Sequence, residues 1–184
     1  MIARRRRIQR RGGVVVEFAI VAPIVLALIL GIIDVAYTLT VRTLLEGSAR
    51  EASRAGITGY TPADTTRREL IVNIVERQTV GLVNMARLDI DTRAYKAFDN
   101  IGRPEPFEDA NNNGQYDAGE TYSDVNGNGS WDADMGEPDA GGSGDVVVYT
   151  LTYEQPVLIP FMAAIYGRDR IQHEARAVVR NEPF

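Results

Sequence analysis

Residues 14–33 read VVVEFAIVAPIVLALILGII, an apolar stretch of 20 residues with one charged side chain, Glu17. A helix needs about 20 apolar residues, each rising about 1.5 Å, to cross the roughly 30 Å hydrocarbon core of a bilayer. Six arginines and no acidic residue precede this stretch. Cationic flanks remain on the cytoplasmic side of a membrane. We therefore expect a cytoplasmic basic leader over residues 1–12, a transmembrane segment over residues 13–35 and an external domain after them.

A secretory signal peptide has the same order of charged and apolar residues. The apolar stretch is, however, longer than the core of a typical signal peptide. The segment Ile33–Tyr37, which follows it, is also a poor match to the small-x-small pattern of a signal cleavage site. Both features favour a permanent membrane anchor.

The composition of the rest of the chain limits the classes of function. The formal net charge of the 184 residues is −5. Without the six leader arginines, 14 basic and 25 acidic residues remain, a balance of −11. An acidic exterior argues against nucleic acid as a partner, because nucleic-acid binding needs a basic surface. The chain has no cysteine, which excludes disulfides and thiolate metal sites.

The residues after the anchor predict two helices. Apolar and small residues at spacings of three and four continue the first helix to Ala55, so that residues 36–98 begin as a helical stalk. A second helix is predicted over Pro62–Leu82, with Thr61 as its N-cap and proline at its first position.

Alternating apolar residues predict three strands, the first over Arg87–Tyr95. Residues 145–184 hold the other two, a β-branched strand within Val146–Pro160 that Pro156 and Pro160 end, and an alternating strand over Arg170–Arg180, with a short helix over Phe161–Tyr166 between them. The order α-α-β-β-β predicts an α+β domain in which an antiparallel sheet packs against the long helix.

Glu17 needs a physical explanation. A carboxylate inside a membrane span costs on the order of 2.5–3.5 kcal/mol at the centre and less near the edge. One possibility is that Glu17 lies at the headgroup boundary. The other is that the chain is cleaved between Gly12 and Gly13. The new amino group would then lie one helical turn from Glu17, and the two charges would neutralise each other within or between subunits.

The chain from its start to Gly56 resembles the N-terminal region of TadE-like pseudopilins of tight adherence (Flp-type) pilus systems. The resemblance rests on the basic leader, on Gly12 followed five residues later by Glu17-Phe18, on Pro23 within the span, and on AREASRAG at Ala49–Gly56. The C-terminal part, from Asp145 onward, resembles the family loosely, and the middle of the chain departs from it.

The resemblance implies a pilin-like fold and a structural role as a minor component of a bacterial pilus system. It implies an inner-membrane location and cleavage by a prepilin peptidase after Gly12, with Gly13, Glu17 and Phe18 in the processing segment. It also implies other pilins or pseudopilins and the pilus assembly platform as partners.

Residues 99–144 form an acidic insert with no hydrophobic period. The pattern D-x-[DN]-x-[DN]-G-x5-E of an EF-hand calcium loop occurs at Asp109–Glu120, and a second copy begins at Asp124. Position 12 of the second copy is Met135, which cannot bind an ion, so Glu137 or Asp134 is expected to replace it. The predicted ligands are Asp109, Asn111, Asn113, Gln115 (carbonyl), Asp117 and Glu120 in the first loop, and Asp124, Asn126, Asn128, Ser130 (carbonyl), Asp132 and Glu137 in the second.

The alternative for the insert is a solvated acidic linker. Two observations favour two calcium ions instead. The asparagines and glycines keep the same phase in both copies. In addition, 11 acidic residues lie from Glu105 through Asp145, with no lysine or arginine between Arg103 and Arg168. The flanks of the loops are poor helix formers, so we expect ion loops without the helices of a true EF-hand.

Three functions are open at this point. The sequence favours a calcium-stabilised, membrane-anchored pseudopilin. The alternative is a single-pass anchored protein whose calcium loops serve binding or adhesion outside a filament. An enzyme is not expected, because the single histidine, His173, has no nucleophile or phosphate loop beside it in the sequence and alternates on a strand as a packed residue would.

Overall fold

A computed structural model describes residues 11–57, 66–138 and 141–182. Its helices are α1 (Arg11–Ile57), α2 (Arg67–Thr79) and α3 (Pro160–Tyr166). Its strands are β1 (Leu88–Tyr95), β2 (Val146–Pro156) and β3 (Arg170–Arg180). The strands form one sheet in the order β1-β2-β3, and β1 and β2 run antiparallel with Leu88 opposite Tyr153. The predicted α+β class and its antiparallel sheet are confirmed.

The chain divides into two compact units. The first contains residues up to Leu39 together with Pro156–Ile171, and so holds the apolar part of α1 and all of α3. The second contains Thr40–Gln155 and the residues from Gln172 onward, and so holds the rest of α1, α2, the acidic insert and most of the sheet.

Helix α1 is continuous through Pro23 and extends past the predicted end at Ala55. In the second unit its buried positions are Val41, Leu45, Ala49 and Ala52, whose spacing is that of one helical face.

Helix α2 is shorter than predicted. Thr66 has an extended backbone and caps the helix: its hydroxyl accepts a hydrogen bond from Glu69 N at 3.2 Å, and the Glu69 carboxylate accepts one from Thr66 N at 2.8 Å. This capping box starts the helix at Arg67, so a single helix from Pro62 is wrong, and Thr61 lies outside the described residues. Val80 then adopts a left-handed conformation, which ends α2 before Leu82.

Strand β2 is buried on both faces at its start, where Val146, Val147, Val148 and Tyr149 are all covered. Successive side chains of a strand point to opposite faces. The even-numbered pair, Val146 and Val148, packs with Tyr95 and Met135, which places the acidic insert on that face of the sheet. The β-branched run is therefore the sequence of a central strand with both faces covered.

Candidate functional sites: the apolar helix and the acidic insert

The apolar segment of α1 has the properties of a membrane span. Among the described residues it is the only helix long and apolar enough to cross a bilayer, and its most apolar 18-residue window contains no buried residue. A core helix of a soluble protein of this composition would be largely covered. Gly13, Glu17 and Phe18 of the predicted processing segment are all exposed, whereas the surroundings of Gly12 lie outside the described part of the chain. The predicted single membrane anchor is supported by this exposure.

Asp34, at the distal end of that segment, is completely buried. Its Oδ1 accepts hydrogen bonds from the main-chain N–H groups of Leu158 at 3.0 Å and Ile159 at 3.2 Å. Its Oδ2 accepts a hydrogen bond from the Tyr166 hydroxyl at 3.0 Å. The carboxylate thus ties both ends of α3 to α1 between segments far apart in the chain, a link that no local pattern predicts.

The first acidic loop is organised around oxygens of its own side chains. Asp109 Oδ1 accepts from Asn113 N at 3.1 Å and its Oδ2 from Gly114 N at 2.8 Å. Asp117 Oδ2 accepts from the side-chain amides of Asn111 and Asn113, each at 2.7 Å. The side chains at loop positions 3, 5 and 9 therefore meet at the Asp117 carboxylate, and the side chain at position 1 binds the main chain of positions 5 and 6.

The carboxylate at position 12 closes the first loop. Glu120 Oε1 accepts from Ala110 N at 2.9 Å, and its Oε2 accepts from Asp117 N at 2.9 Å. The two main-chain groups belong to loop positions 2 and 9. One side chain thus joins the beginning of the loop to its end.

The second loop, from Asp124 onward, repeats the hydrogen bonds that Asp109 and Asp117 accept in the first. Asp124 accepts from Asn128 N at 3.1 Å and from Gly129 N at 2.9 Å. Asn126 Nδ2 donates to Asp132 Oδ2 at 2.8 Å, and Asn128 Nδ2 donates to the same oxygen.

The backbone of the second loop repeats the first as well. Position 4 has a positive φ in both loops, 58° at Asn112 and 83° at Gly127. Position 6 also does, with 76° at Gly114 and 80° at Gly129. The two loops therefore share the conformation of these positions, whereas position 11 has a positive φ at Gly119 and not at Asp134.

The closing carboxylate of the second loop comes from upstream of both loops. Glu105 is completely buried. Its Oε1 accepts from Val125 N at 2.7 Å and its Oε2 from Asp132 N at 3.2 Å, which are positions 2 and 9 of the second loop. These are the bonds that Glu120 makes in the first loop. Sequence analysis missed Glu105, because it lies outside the continuous segment that the motif covers.

The segment around Glu105 is held in place by main-chain hydrogen bonds to the insert. Glu105 N donates to Asp132 O at 2.9 Å, and Met135 N donates to Arg103 O at 2.9 Å. Phe107 bridges Tyr122 in the antiparallel sense. The chain from Arg103 to Phe107 thus runs as an extended edge beside both loops, which places the Glu105 carboxylate in the second.

The residues predicted to replace Met135 have other contacts. Asp134 Oδ2 accepts from Arg93 Nη1 at 3.1 Å and from the Tyr95 hydroxyl at 3.2 Å. Burial, together with this hydrogen bond to Asp134, raises the pKa of Tyr95. The main chain of Glu137 pairs with that of Ala94, N to O in both directions, at 2.9 and 3.0 Å. These contacts join the end of the insert to β1.

Aromatic side chains join the two loops to each other. Tyr116, at position 8 of the first loop, stacks on Trp131, at position 8 of the second, with ring centroids 4.5 Å apart. Phe107 and Tyr122 pack edge-on against this pair. Trp131 Nε1 also donates to Glu105 O at 2.9 Å. The equivalent positions of the repeat therefore form one aromatic cluster, which also contacts the closing segment.

Within the described ranges, no three His, Cys, Asp or Glu side chains form a group arranged to hold a metal ion. In each loop, two asparagine side-chain amides donate to the position-9 carboxylate. His173 is buried on β3, and its Nε2 lies 3.0 Å from Gln155 Oε1. Burial, with a smaller effect of the Arg42 charge, lowers the pKa of His173. This histidine is packed in the sheet, as the alternation predicted.

Comparison with known proteins agrees with the anchor region. The model of the family described as TadE-like protein matches residues 12–54. The predicted resemblance to TadE-like proteins is therefore confirmed for this segment. It associates the chain with the tight adherence pilus system as a membrane-anchored protein. No curated protein and no solved structure matches the chain. The acidic insert and the sheet lie outside the matched residues.

Proposed function

We propose that this protein is a pseudopilin, a minor structural component of a tight adherence pilus assembly system. The observation that carries the proposal is the family match over residues 12–54, which coincides with an apolar helix whose side chains face outward. Its partners are then the membrane, other pilins or pseudopilins, a prepilin peptidase and the assembly platform, and its role is structural, not enzymatic.

In this function the helix is a single-pass anchor in the bacterial inner membrane. The arginines of the leader remain in the cytoplasm, and the acidic domain lies outside. Cleavage after Gly12 makes Gly13 the amino terminus, and its charge then neutralises Glu17, which lies exposed on the helix four residues later.

The test is the mass of the N-terminal peptide of the protein isolated from its native membrane. The proposal expects a peptide that begins at Gly13. Replacing Gly12→Leu should leave the leader attached, whereas Gly47→Ala, at a glycine of the same helix that meets only an ordinary contact with Gln78, should be processed normally. An intact Met1 in the wild-type protein, with no incorporation into filaments, would instead favour a free-standing anchored binding or adhesion protein.

We further propose that the acidic insert binds two calcium ions that stabilise the external domain. Calcium prefers six to eight oxygen ligands, and each loop offers the oxygen-bearing side chains at positions 1, 3, 5 and 9, a main-chain carbonyl at position 7 and a closing carboxylate. The ligands of the first loop are those predicted, closed by Glu120. In the second loop we assign the closing position to Glu105, because its carboxylate makes the bonds that Glu120 makes in the first.

Calcium would supply the positive charge that the insert lacks, and the protein holds the ligands without it. The side-chain amides of Asn111 and Asn113 donate to Asp117, so each must turn its oxygen inward when an ion binds. Extracellular modules of this type bind calcium at about 10⁻⁴–10⁻³ M. That range suits an ion taken up only outside the cell.

The test counts bound calcium in the purified full-length protein by equilibrium dialysis and elemental analysis. The wild type should bind two ions, Glu120→Gln and Glu105→Gln should each bind one, and the control Glu137→Gln should bind two. Finding no bound calcium at millimolar concentration would refute the ion proposal. Loss of an ion in Glu137→Gln, but not in Glu105→Gln, would return the closing role to Glu137.

A further inference from the structure

Helix α3 lies against the distal part of the apolar helix within the first unit. Met162 is buried, and its Sδ is 3.6 Å from the position that a Cβ on Gly31 would occupy. The apolar neighbours of Met162 are not covered: Phe161 is 38% exposed, Leu158 50% and Ile165 68%. A short helix that displays this much apolar surface is unusual in water.

The two helices enclose an open groove of about 680 Å³. Its walls are aliphatic and aromatic, and include Ile24, Leu28, Val35, Phe161 and Ile165. The groove follows α1 from Ile24 to Leu39, which is about 22 Å along the helix axis. This length is about three quarters of the hydrocarbon thickness of a bilayer.

The depth of the contact follows from the position of Gly31 in the span. The apolar stretch begins at Val14, and Gly31 lies about 25 Å further along the helix axis at about 1.5 Å per residue. The hydrocarbon core is about 30 Å thick. Met162 therefore meets α1 at the level of the distal leaflet, inside the hydrocarbon boundary.

The polar groups of this region are placed as a membrane boundary requires. Asp34 would expose a carboxylate at the edge of the hydrocarbon, but the residues at both ends of α3 satisfy its oxygens. Arg168 and Arg170 follow α3 and are exposed. Arginines at such a position extend their charged ends toward lipid headgroups.

We infer that α3, with Leu158 before it, is a second membrane-contacting segment, inserted into the distal leaflet beside α1, and that lipid acyl chains fill the groove between them. Continuity of the groove with the exposed surface of the span favours lipid over a second copy of the chain. The inference rests on the anchoring role proposed for α1. It implies that the chain, after β1, the acidic insert and β2, returns to the bilayer at α3.

The chain has no cysteine, so single cysteines can be introduced into the full-length protein and labelled with an environment-sensitive fluorophore. The test position is Ile165→Cys. Ile29→Cys, which is exposed on the span outside the groove, is the lipid reference, and Glu174→Cys, which is exposed on β3, is the water reference. Each protein is reconstituted at low density in vesicles of phosphatidylcholine and phosphatidylglycerol, and quenched either by nitroxide-labelled lipid or by iodide.

The expected result is that label at position 165 emits at short wavelength, loses its emission to nitroxide lipid as label at position 29 does, and resists iodide. Emission and iodide quenching like those at position 174 would overturn the inference. Protection from both quenchers would also overturn it, since a protein segment would then cover the groove. Leu158→Cys repeats the measurement at a second site, so that one perturbed variant does not decide the result. Failure of nitroxide lipid to quench position 29 would instead refute the anchor itself.

Discussion

Met135 is the residue at which the second acidic loop departs from the ion-loop pattern, and Met135→Glu would restore the pattern. The motif alone predicts that this substitution improves calcium binding. The structure predicts that it destabilises the protein, because Met135 is 7% exposed and packs with Tyr95, Val146 and Val148. The closing position of that loop already holds the carboxylate of Glu105.

The size of the effect follows from burial. Covering a methionine side chain contributes about 1.5–3 kcal/mol relative to leaving it in water. A carboxylate in the same place would lack a partner, and burying an unpaired polar group adds a cost of about 2 kcal/mol or more. The sum, at least about 3.5–5 kcal/mol, is a large part of the roughly 5–15 kcal/mol that stabilises a typical domain.

The assay is thermal unfolding of the full-length protein in detergent, with and without chelator, followed by the fluorescence of Trp131, the single tryptophan. A loss of about 4 kcal/mol should lower the melting temperature of Met135→Glu by about 8–16 °C in chelator. The control Met135→Leu should lose less than about 1.5 kcal/mol. If Met135→Glu has the same melting temperature as Met135→Leu and binds calcium more tightly than the wild type, then the placement of Met135 in the core and of Glu105 at the closing position is wrong.

Three further changes test other parts of the external domain. Gly136→Ala should lower the free energy of unfolding by about 1–3 kcal/mol in chemical denaturation, because its Cβ would lie 2.5 Å from Tyr95 Cζ. Gly127→Ala should destabilise by about 1–2 kcal/mol, and Gly127→Asn by less, since the equivalent residue Asn112 already has a positive φ; equal losses would contradict the shared loop conformation. The lowered pKa of His173 means that the unfolded chain takes up this proton at a higher pH than the folded protein does. Stability should therefore fall as the pH drops below about 6.5, by at most about 1.4 kcal/mol per pH unit. His173→Gln should lack this part of the pH dependence in thermal unfolding measured beside the wild type, and identical pH profiles of the two proteins would refute the prediction.

Local sequence patterns predict the local features of this fold. The alternation over Arg170–Arg180 matches the observed bounds of β3, and prolines mark the end of β2 and the start of α3. The predicted start of α2 is wrong because Thr61-Pro62 also has the form of a start signal, although Thr66 and Glu69 carry the capping-box spacing. The sequence offers two local signals there; the capping box starts α2, and Thr61 and Pro62 lie outside the described residues.

The links that sequence analysis missed are all distant in the chain. Glu105 closes a loop that begins at Asp124, and Asp34 binds α3 from the other end of the chain. A motif describes ligands within one continuous segment, so it does not find a ligand that lies on a separate extended segment. The motif also does not explain why position 12 is apolar in the second copy of the repeat, because the reason is that this residue packs on the sheet.

The two departures from the motif in the second loop have one cause. The insert must both hold its loops and cover the even-numbered face of β2, and it is the end of the second loop that packs on this face. Position 12 of that loop is therefore the apolar residue Met135, which packs in the core, and the carboxylate expected at this position comes from Glu105 on the neighbouring segment.

Asp132, the proposed ligand hydrogen-bonded to Glu105, lies only three residues before Met135. Since the two share so short a segment, an ion in the second loop would restrain the covered face of the sheet directly. An ion in the first loop would act on the sheet mainly through the aromatic stack of Tyr116 on Trp131. The calcium dependence of domain stability should accordingly reside mainly in the second loop, although the first matches the sequence pattern better.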